Sequence, residues 1–244
     1  MTTLGIDIGG SGIKGALVDT KAGKMVTERL RIPTPQPSTP AAVIESIKQL
    51  VAHFEYSGSI GIGLPGVVIN GVVKSAANID KGWIGFAGET AVSEATNCPT
   101  IIMNDADVAG TAEMRFGAGR NRNGVVMIFT LGTGIGSAMF IDGKIVPNTE
   151  LGHLFLRNQP LDAEAFAASR IRKEQGLKWK EWGERLNIYF QHIEMLFSPQ
   201  LIIIGGGVSK QHEKFLKHID INVEIIPAQL RNEAGIVGAA LTAV

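Results

Sequence analysis

The sequence predicts an α/β protein made of two similar lobes, and three observations lead to that prediction. Short apolar runs alternate with amphipathic helical stretches along the chain, which is typical of an α/β fold. A glycine-rich turn separates two apolar runs near the N-terminus, starting at Asp7, and a similar turn starts at Thr130. The pattern of strands around the first turn begins again halfway along the 244 residues.

The internal repeat can be written residue by residue. Ile8 and Gly9 match Leu131 and Gly132, and residues 17–19 match residues 140–142, so both pairs lie about half a chain apart. Two units that each open with a three-strand meander around a glycine turn indicate a duplicated lobe. We therefore expect two lobes around a central cleft, because ligand sites favour such places.

The apolar periodicity predicts the elements in order. In the first half we expect strands at 4–8, 13–19, 25–32, 59–64 and 100–103, a hairpin at 67–73, and helices at 40–54, 87–95 and 106–116. The first of these helices is expected to be capped by Ser38 or Thr39. In the second half we expect strands at 125–131, 137–142, 144–147, 201–204 and 223–226, and helices at 161–174, 178–196, after 207 and from 233.

Composition excludes several classes of function. The 23 basic and 23 acidic residues balance, so no overall basic field is available for nucleic acid or a membrane surface. The single cysteine, Cys98, excludes an internal disulfide and a cysteine-rich zinc site. We expect no signal peptide and no membrane-spanning helix, and we predict a cytoplasmic protein.

The first glycine turn fits a dinucleotide-binding pattern only formally. Gly10, Gly12 and Gly15 have the G-x-G-x-x-G spacing, but an apolar strand follows the turn where that motif requires a helix. An ordinary glycine hairpin is one alternative. The other is a backbone nest for phosphate oxygens, which is favoured because the turn recurs at the half-chain repeat with hydroxyl side chains, Ser11 and Thr133.

Polar residues next to these turns suggest how a phosphate donor is held. Asp7 precedes the first turn and is placed to orient a hydrated Mg²⁺, and Lys14 is placed to steady a phosphate. The predicted phosphate-binding residues are Asp7, Gly9, Gly10, Ser11, Gly12, Lys14, Gly132, Thr133, Gly134, Gly205 and Gly206.

Two short polar islands between apolar runs carry the candidate chemistry. Asn104 and Asp105 follow a buried strand and precede a helix, so a helix cap and a catalytic carboxylate are both open for Asp105. Glu150 and His153 are spaced so that both side chains can face one ligand, although an isolated histidine is more often a satisfied core residue. Asn78 fits a turn as well as a binding site.

Four motifs together resemble the ROK family of sugar kinases: the turns at 7–12 and 131–136, Glu150–His153, and the run at 201–207 that ends in three glycines. The resemblance covers essentially the whole chain and implies two ribonuclease H-like lobes of the actin/hexokinase-like ATPase superfamily. It places the N-terminal lobe at 1–104, completed by the helix at 228–244, and the C-terminal lobe at 105–227. Within the family, residues 77–85, the helix that contains Trp179 and Trp182, and the missing zinc motif are most similar to polyphosphate glucokinases.

The resemblance implies a reaction and a role for each site residue. Asp105 is the general base on the 6-hydroxyl of glucose, and Asn78, Asn104, Glu150 and His153 bind sugar hydroxyls. The family's cysteine-rich zinc loop is absent here, so we expect no zinc, and Glu164 is the candidate for the glutamate that completes the sugar site. For Glu164 a solvated helix carboxylate is the alternative. The implied partners are Mg²⁺, glucose, inorganic polyphosphate or ATP as the donor, and a second copy of the chain in a homodimer.

The choice of donor rests on local charge. Basic residues are concentrated in segment 170–185 and at Arg115, Arg120 and Arg122, where they fit a long polyanion or simply a solvated surface. Trp179, Trp182 and Leu196 are expected in the core or in a dimer interface, and not in a nucleobase site. The glycines at 205–207 keep ATP open as a donor.

Other functions remain as alternatives. An ATP-dependent kinase for glucose, N-acetylglucosamine or fructose has the same implied machinery. A sugar-responsive repressor needs a DNA-binding domain before the first lobe, and the chain starts at the first predicted strand with no basic footprint. A non-catalytic sugar sensor is the third alternative, although Asp105, Glu150 and His153 are all present.

Overall fold

The computed structural model describes residues 1–244, which divide into two compact units. Unit 1 contains Met1–Ala112 and Glu233–Val244, and unit 2 contains Glu113–Asn232. The sequence predicted lobe boundaries after residues 104 and 227, and these lie a few residues before the boundaries between the two units. Asp105, which was expected to open the second lobe, therefore belongs to unit 1.

The first part of the chain contains these elements: β1 (Thr2–Gly9), β2 (Gly12–Asp19), β3 (Lys24–Met25), β4 (Leu30–Ile32), α1 (Pro40–His53), β5 (Ile60–Leu64), β6 (Val68–Ile69), β7 (Val72–Val73), α2 (Gly88–Thr96), β8 (Thr100–Asn104) and α3 (Asp105–Phe116). The rest contains β9 (Val125–Leu131), β10 (Ile135–Ile141), β11 (Lys144–Val146), α4 (Ala163–Ala167), α5 (Ser169–Glu174), α6 (Trp179–Phe197), β12 (Leu201–Gly205), β13 (Glu224–Pro227) and α7 (Ala234–Thr242).

The sheet of unit 1 has the order β3-β2-β1-β5-β8, and β4 also pairs with β2. Strands β1, β5 and β8 are parallel, while β2 is antiparallel to β1. Thr39 caps α1 as expected, and the helix buries Val43, Ile47 and Leu50. The almost fully buried helix α7 approaches the sheet so closely that a Cβ atom on Gly5 or Gly61 would overlap its backbone.

The sheet of unit 2 repeats this plan, with the order β11-β10-β9-β12-β13. Strands β9, β12 and β13 are parallel, and β10 is antiparallel to β9. Helix α6 covers the sheet with Trp182, Tyr189 and Phe190, and the two latter rings make edge contacts with Phe129 of β9. The meanders β3-β2-β1 and β11-β10-β9 confirm the predicted internal repeat.

Three predicted elements differ from the structure. The strand expected at 25–32 is divided into β3 and β4, because the Thr27 hydroxyl accepts the Leu17 N–H and replaces a ladder carbonyl there. The helix expected at 161–174 is broken at Ala168, whose ψ of 152° is extended. The helix expected after residue 207 is a 3-10 helix, Gly207–Lys214. No helix combines the length and apolar character that are needed to cross a membrane.

Candidate active site

The turn between β1 and β2 is held in place from both sides. The Thr34 hydroxyl donates to the Gly9 carbonyl at 2.5 Å, and Arg31 Nη2 donates to the Ser11 carbonyl at 2.6 Å. The Arg31 guanidinium covers Gly12 so closely that a Cβ atom there would lie 2.6 Å from its Nε. A side chain at Gly12 would therefore displace this guanidinium from the turn. The turn keeps a fixed shape, as a phosphate-binding nest requires.

A row of charged residues crosses this end of the sheet. Asp7, Lys14 and Arg31 are neighbours in register on β1, β2 and β4. Lys14 Nζ donates to Asp7 Oδ2 at 3.0 Å, and both side chains are half-buried. Lys14 therefore serves as the partner of Asp7 in this structure. The Arg31 cation, which sequence reasoning missed, is exposed above the same turn.

Asn104 and Asp105 form the junction between β8 and α3. Asn104 is buried, and its Oδ1 accepts the N–H groups of Ala106 and Asp107 at 2.9 and 3.2 Å. Its Nδ2 donates to the Gly66 carbonyl at 3.3 Å, which ties it to the turn after β5. Asn104 thus supplies a helix cap, the role that the sequence left open for Asp105. Asp105 is half-buried, and its Oδ1 contacts the Ala106 N–H at 2.8 Å.

Asn78 lies in an exposed turn of unit 1 next to the first glycine turn. Its φ of 59° is left-handed, a conformation that asparagine adopts more readily than most residues. A Cβ atom on Gly10 would lie 3.2 Å from the Asn78 carbonyl oxygen, so Gly10 allows the two segments to come together. The turn conformation and a sugar-binding role are compatible for Asn78.

The second glycine turn, between β9 and β10, is anchored by two helices. Glu164 of α4 accepts the Ile135 N–H at 2.9 Å with Oε2, and a Cβ atom on Gly134 would overlap this carboxylate. The break at Ala168 lets the Arg170 N–H bond the Gly132 carbonyl at 3.0 Å, and Arg170 Nε donates to the Thr133 carbonyl at 3.1 Å. Glu164 is thus not simply a solvated helix carboxylate, because it fixes the shape of this turn.

The segment that contains Glu150 and His153 is packed tightly against β10. The buried Ser137 hydroxyl donates to the Thr149 carbonyl at 2.6 Å and accepts the Leu151 N–H at 3.0 Å. The phenol of buried Tyr189 donates to the Leu151 carbonyl at 3.2 Å. A Cβ atom on Gly152 would overlap the Ile135 carbonyl, so only glycine fits between Glu150 and His153 at this point. These contacts fix the position of the backbone segment that carries Glu150 and His153.

His153 is not a core histidine, because 56% of its side chain is exposed. Its Nδ1 is 3.0 Å from Asp162 Oδ2, and its Nε2 is 4.0 Å from Glu150 Oε2. The hydrogen bond with Asp162 raises the pKa of His153 above its ordinary value, helped by the nearby carboxylates and opposed by burial. Burial is the main cause that raises the pKa of Glu150; Glu164 adds to the increase and His153 opposes it.

A pocket of about 600 Å³ in unit 2 borders the second glycine turn. Gly132 and Thr133 form one side, Gly207 another, and Arg170 and Lys173 supply positive charge. Gly206, which precedes Gly207, has a φ of 81° and leaves no room for a Cβ atom next to Leu131. Gly205 is paired with Thr130 at the end of β12.

Trp179 packs against the buried rings of Trp182 and Phe215 at the edge of the core, as expected, and it also lines this pocket. The Arg172 guanidinium lies 3.9 Å from the centre of a Trp179 ring, and Lys214 Nζ lies 5.4 Å from it. Trp182 is fully buried as expected, and Leu196 is half exposed on α6. Among the other predicted basic residues, Arg122 is bound to Glu224 by two hydrogen bonds and is not free for a polyanion.

The structure brings the predicted residues together in two groups. Asp7, Lys14, Asn78, Asn104 and Asp105 are near the first glycine turn and the carboxyl ends of β1 and β8 in unit 1. In unit 2, the groups near the second turn are Gly132–Gly134, Glu150, His153, Glu164, Gly205 and Gly206.

Sequence reasoning missed Arg31 and Asp162. The antiparallel pairing of Lys14 with Arg31 is the signal that could have found Arg31, had β4 been placed correctly. Asp162 starts a helix, so it gave only a capping signal.

Comparison with known proteins identifies the family. Residues 3–167, more than half of the chain, match the family described as ROK. The chain belongs to the ROK family. This confirms the resemblance inferred from the glycine turns and from Glu150–His153, and the two-unit α/β fold agrees with that of solved ROK proteins.

Two ROK family relatives are similar over nearly the whole chain. A polyphosphate glucokinase of Mycobacterium tuberculosis (strain CDC 1551 / Oshkosh) is 44% identical over 241 residues, which cover 98% of this chain and 90% of the relative. An inorganic polyphosphate/ATP-glucomannokinase from Arthrobacter sp. strain KM has a crystal structure with a TM-score of 0.94 at 47% identity, and the match covers 99% and 98% of the two chains.

A ROK family glucokinase from Streptomyces griseus, solved with glucose and AMPPNP, is more distant. Its TM-score is 0.85 at 25% identity, with 100% of this chain and 99% of that chain covered. The fold is therefore shared with a relative named for polyphosphate and ATP and with one solved with AMPPNP.

Proposed function

We propose that this protein is a polyphosphate glucokinase, which transfers a phosphoryl group from inorganic polyphosphate to the 6-hydroxyl of glucose. The observation that carries the proposal is the 44% identity with a polyphosphate glucokinase over 98% of the chain. Fold alone does not fix a function, so the site residues must also suit the reaction. A cytoplasmic location remains a prediction from the sequence.

On the acceptor side, Asp105 is the general base. A base must accept the hydroxyl proton as the oxygen attacks phosphorus, and a carboxylate at the start of a helix after a buried strand suits this role. Asn104 is held by its own capping bonds and fixes the start of α3, on which Asp105 lies. Asn78, Glu150, His153 and Glu164 bind sugar hydroxyls, together with Asn104.

On the donor side, the pocket beside the second glycine turn receives phosphates. Arg170 and Lys173 place positive charge at its wall, and the backbone of Gly132 and Thr133 forms the turn. The Arg172 guanidinium covers one face of Trp179, the aromatic side chain that lines this pocket. A pocket whose aromatic face carries a cation suits a chain of phosphates better than a purine.

ATP is the second candidate donor. The glycines at 205–207 are present, and Gly207 lines the pocket. The Arthrobacter relative is named for both polyphosphate and ATP, and the Streptomyces relative was solved with AMPPNP. An ATP-dependent hexose kinase therefore has specific support as the alternative function.

Magnesium suits the residues of the first turn. Mg²⁺ prefers oxygen ligands and is commonly held by one or two carboxylates together with phosphate oxygens. Asp7 supplies a half-buried carboxylate beside the first glycine turn, with one oxygen bonded to Lys14. Bound Mg²⁺ would neutralise charge on the donor phosphates, while Asp7 orients it and Lys14 keeps the carboxylate in place.

The test of the function is a panel of sugars and donors with the purified protein. With polyphosphate and Mg²⁺, we expect a phosphorylated product from glucose, identified as the 6-phosphate by ³¹P NMR. Mannose, fructose and N-acetylglucosamine serve as competing acceptors. No product from glucose with either donor would refute the proposed function and favour another sugar or a non-catalytic sensor.

The donor pocket makes its own prediction. Replacing Arg170 and Lys173 together by alanine is expected to raise the KM for long-chain polyphosphate about tenfold or more, because two charge-assisted contacts are lost. The KM for glucose should stay within about twofold. The matched control is Lys180→Ala, which removes an exposed lysine of α6 that pairs with Glu184. Equal effects of the control and the double variant would contradict the assignment.

A homodimer is proposed on the basis of α6. Ile188, Met195 and Leu196 lie on one face of this helix and are 40%, 67% and 49% exposed. Such spacing places an apolar strip on the surface of a helix. We expect Met195→Lys to shift the protein from dimer to monomer in light scattering, with unchanged far-UV circular dichroism. A wild-type protein that is monomeric at all concentrations would contradict the proposal.

A further inference from the structure

The loop that follows His153 returns and places Asp162 beside it. Phe155 and Asp162 form an isolated antiparallel bridge, and the Ala163 N–H donates to the Leu154 carbonyl at 2.8 Å. The backbone next to His153 and the backbone at Asp162 are therefore held together, and the two side chains meet. The loop between them contains no cysteine.

Each oxygen of the Asp162 carboxylate has a separate task. Oδ1 accepts the Ala165 N–H at 2.8 Å and so starts α4. Oδ2 is 3.0 Å from His153 Nδ1. Because a carboxylate can only accept, Nδ1 of the imidazole carries a proton in this bond. The ring is then fixed with Nε2 on the opposite side, where Glu150 Oε2 lies 4.0 Å away.

We propose that Asp162 is the positioning residue for sugar recognition, holding His153 in one orientation and one protonation pattern so that Nε2 is presented to a sugar hydroxyl. This inference rests on the proposed function, because it assumes that His153 binds the sugar. In a neutral ring Nε2 accepts a hydrogen bond from the hydroxyl, and Glu150 on the same side accepts another.

Helix α4 also connects this recognition to the donor turn. Asp162 starts the helix, and Glu164, within its first turn, holds the Ile135 N–H of the second glycine turn. One short helix thus carries the partner of the sugar-binding histidine and the anchor of the phosphate turn. The raised pKa of His153 agrees with a strong bond to Asp162.

Three substitutions separate the two tasks of Asp162. Asp162→Asn keeps the size and the capping oxygen, but its amide N–H can only donate to Nδ1 and so moves the ring proton to Nε2. Asp162→Ser keeps a good helix cap without any group that reaches His153. Asp162→Ala loses both. Asp19→Asn is the matched control, because Asp19 accepts backbone N–H groups in a turn of unit 1 and contacts no histidine.

The kinetic readout distinguishes positioning from a general loss of structure. We expect Asp162→Asn and Asp162→Ser to raise the KM for glucose about tenfold or more, with the KM for polyphosphate within about twofold and a thermal midpoint near that of the wild type. A glucose KM unchanged in both variants would overturn the proposal. A parallel increase in both KM values would also overturn it, because it indicates damage to α4 as a whole.

The second readout needs no activity. The chain has five histidines, so ¹⁵N-labelled imidazole signals can be assigned through a His153→Gln variant. In the wild type we expect His153 to be protonated at Nδ1 when neutral and to titrate above its ordinary range. Asp162→Asn should lower its pKa and shift the proton to Nε2, and Asp19→Asn should change neither. An unchanged His153 titration in Asp162→Asn would overturn the proposal.

Product formation by the wild type and calorimetric binding of glucose keep this inference apart from the proposed function. If the wild type forms no product from glucose, the proposed function fails. If calorimetry then also detects no binding of glucose, the sugar role of Asp162 fails with it. If the wild type phosphorylates glucose but Asp162→Asn binds glucose equally well, only the positioning role is overturned.

Discussion

Replacing Asp105 by alanine is expected to lower kcat by about 10²–10⁴-fold, the range that a general base contributes. Asp105 starts α3 directly after β8, and its carboxylate is half-buried. Without it, the carboxylate that we propose as the acceptor of the hydroxyl proton is lost. The measurement is the rate of sugar phosphorylation at saturating glucose and polyphosphate.

Binding separates catalysis from folding in this test. We expect Asp105→Ala to bind glucose within a few-fold of the wild type in calorimetry, because Asn104 supplies the capping bonds of α3. Asp105→Asn retains an oxygen for the Ala106 N–H that Asp105 contacts and should be equally slow, since an amide accepts no proton at neutral pH. A kcat within tenfold of the wild type in both variants would remove Asp105 from the mechanism.

Replacing Glu113 by alanine is expected to cost about 3–5 kcal/mol of stability, the largest structural effect in this set. Glu113 is 1% exposed, and its carboxylate accepts the N–H groups of Ala118, Gln229 and Leu230 at 2.9, 3.1 and 2.7 Å. Removing it leaves one buried and two part-buried N–H donors without their acceptor. The measurement is the midpoint of urea unfolding.

The control for Glu113 is the glutamine variant. Its amide oxygen can still accept, while its nitrogen cannot, so Glu113→Gln should lose clearly less stability than Glu113→Ala. An exposed matched change, Glu45→Ala, removes a carboxylate that pairs with Lys48 and should cost less than about 1 kcal/mol. Equal losses in all three variants would contradict the role given to Glu113.

Much of the fold followed from periodicity and from the half-chain repeat. The two meanders, the Thr39 cap and the long helix α6 were predictable because apolar spacing and turn residues act over short distances. The break at Ala168 was not. Nothing in the local sequence stops that helix; the break is explained by tertiary bonds from Arg170 to the Gly132 and Thr133 carbonyls.

In the candidate site too, features that depend on tertiary contacts could not be predicted from the local sequence. Motif spacing indicated Asp105, Glu150 and His153, whereas Glu113 and Asp162 act through partners that the chain brings near only by folding. Lys14 was predicted to bind phosphate, and its ion pair with Asp7 depends on the cross-strand register. Residues whose role depends on a long-range partner were thus the ones that the sequence left open.

The most direct test of the central claim is the initial rate of glucose 6-phosphate formation with Mg²⁺, measured with long-chain polyphosphate in the absence of nucleotide and separately with ATP. The account predicts product with polyphosphate alone, at a rate that depends on glucose concentration. Product with ATP but none with polyphosphate would contradict it and leave an ATP-dependent ROK kinase whose basic pocket has no polyphosphate to bind.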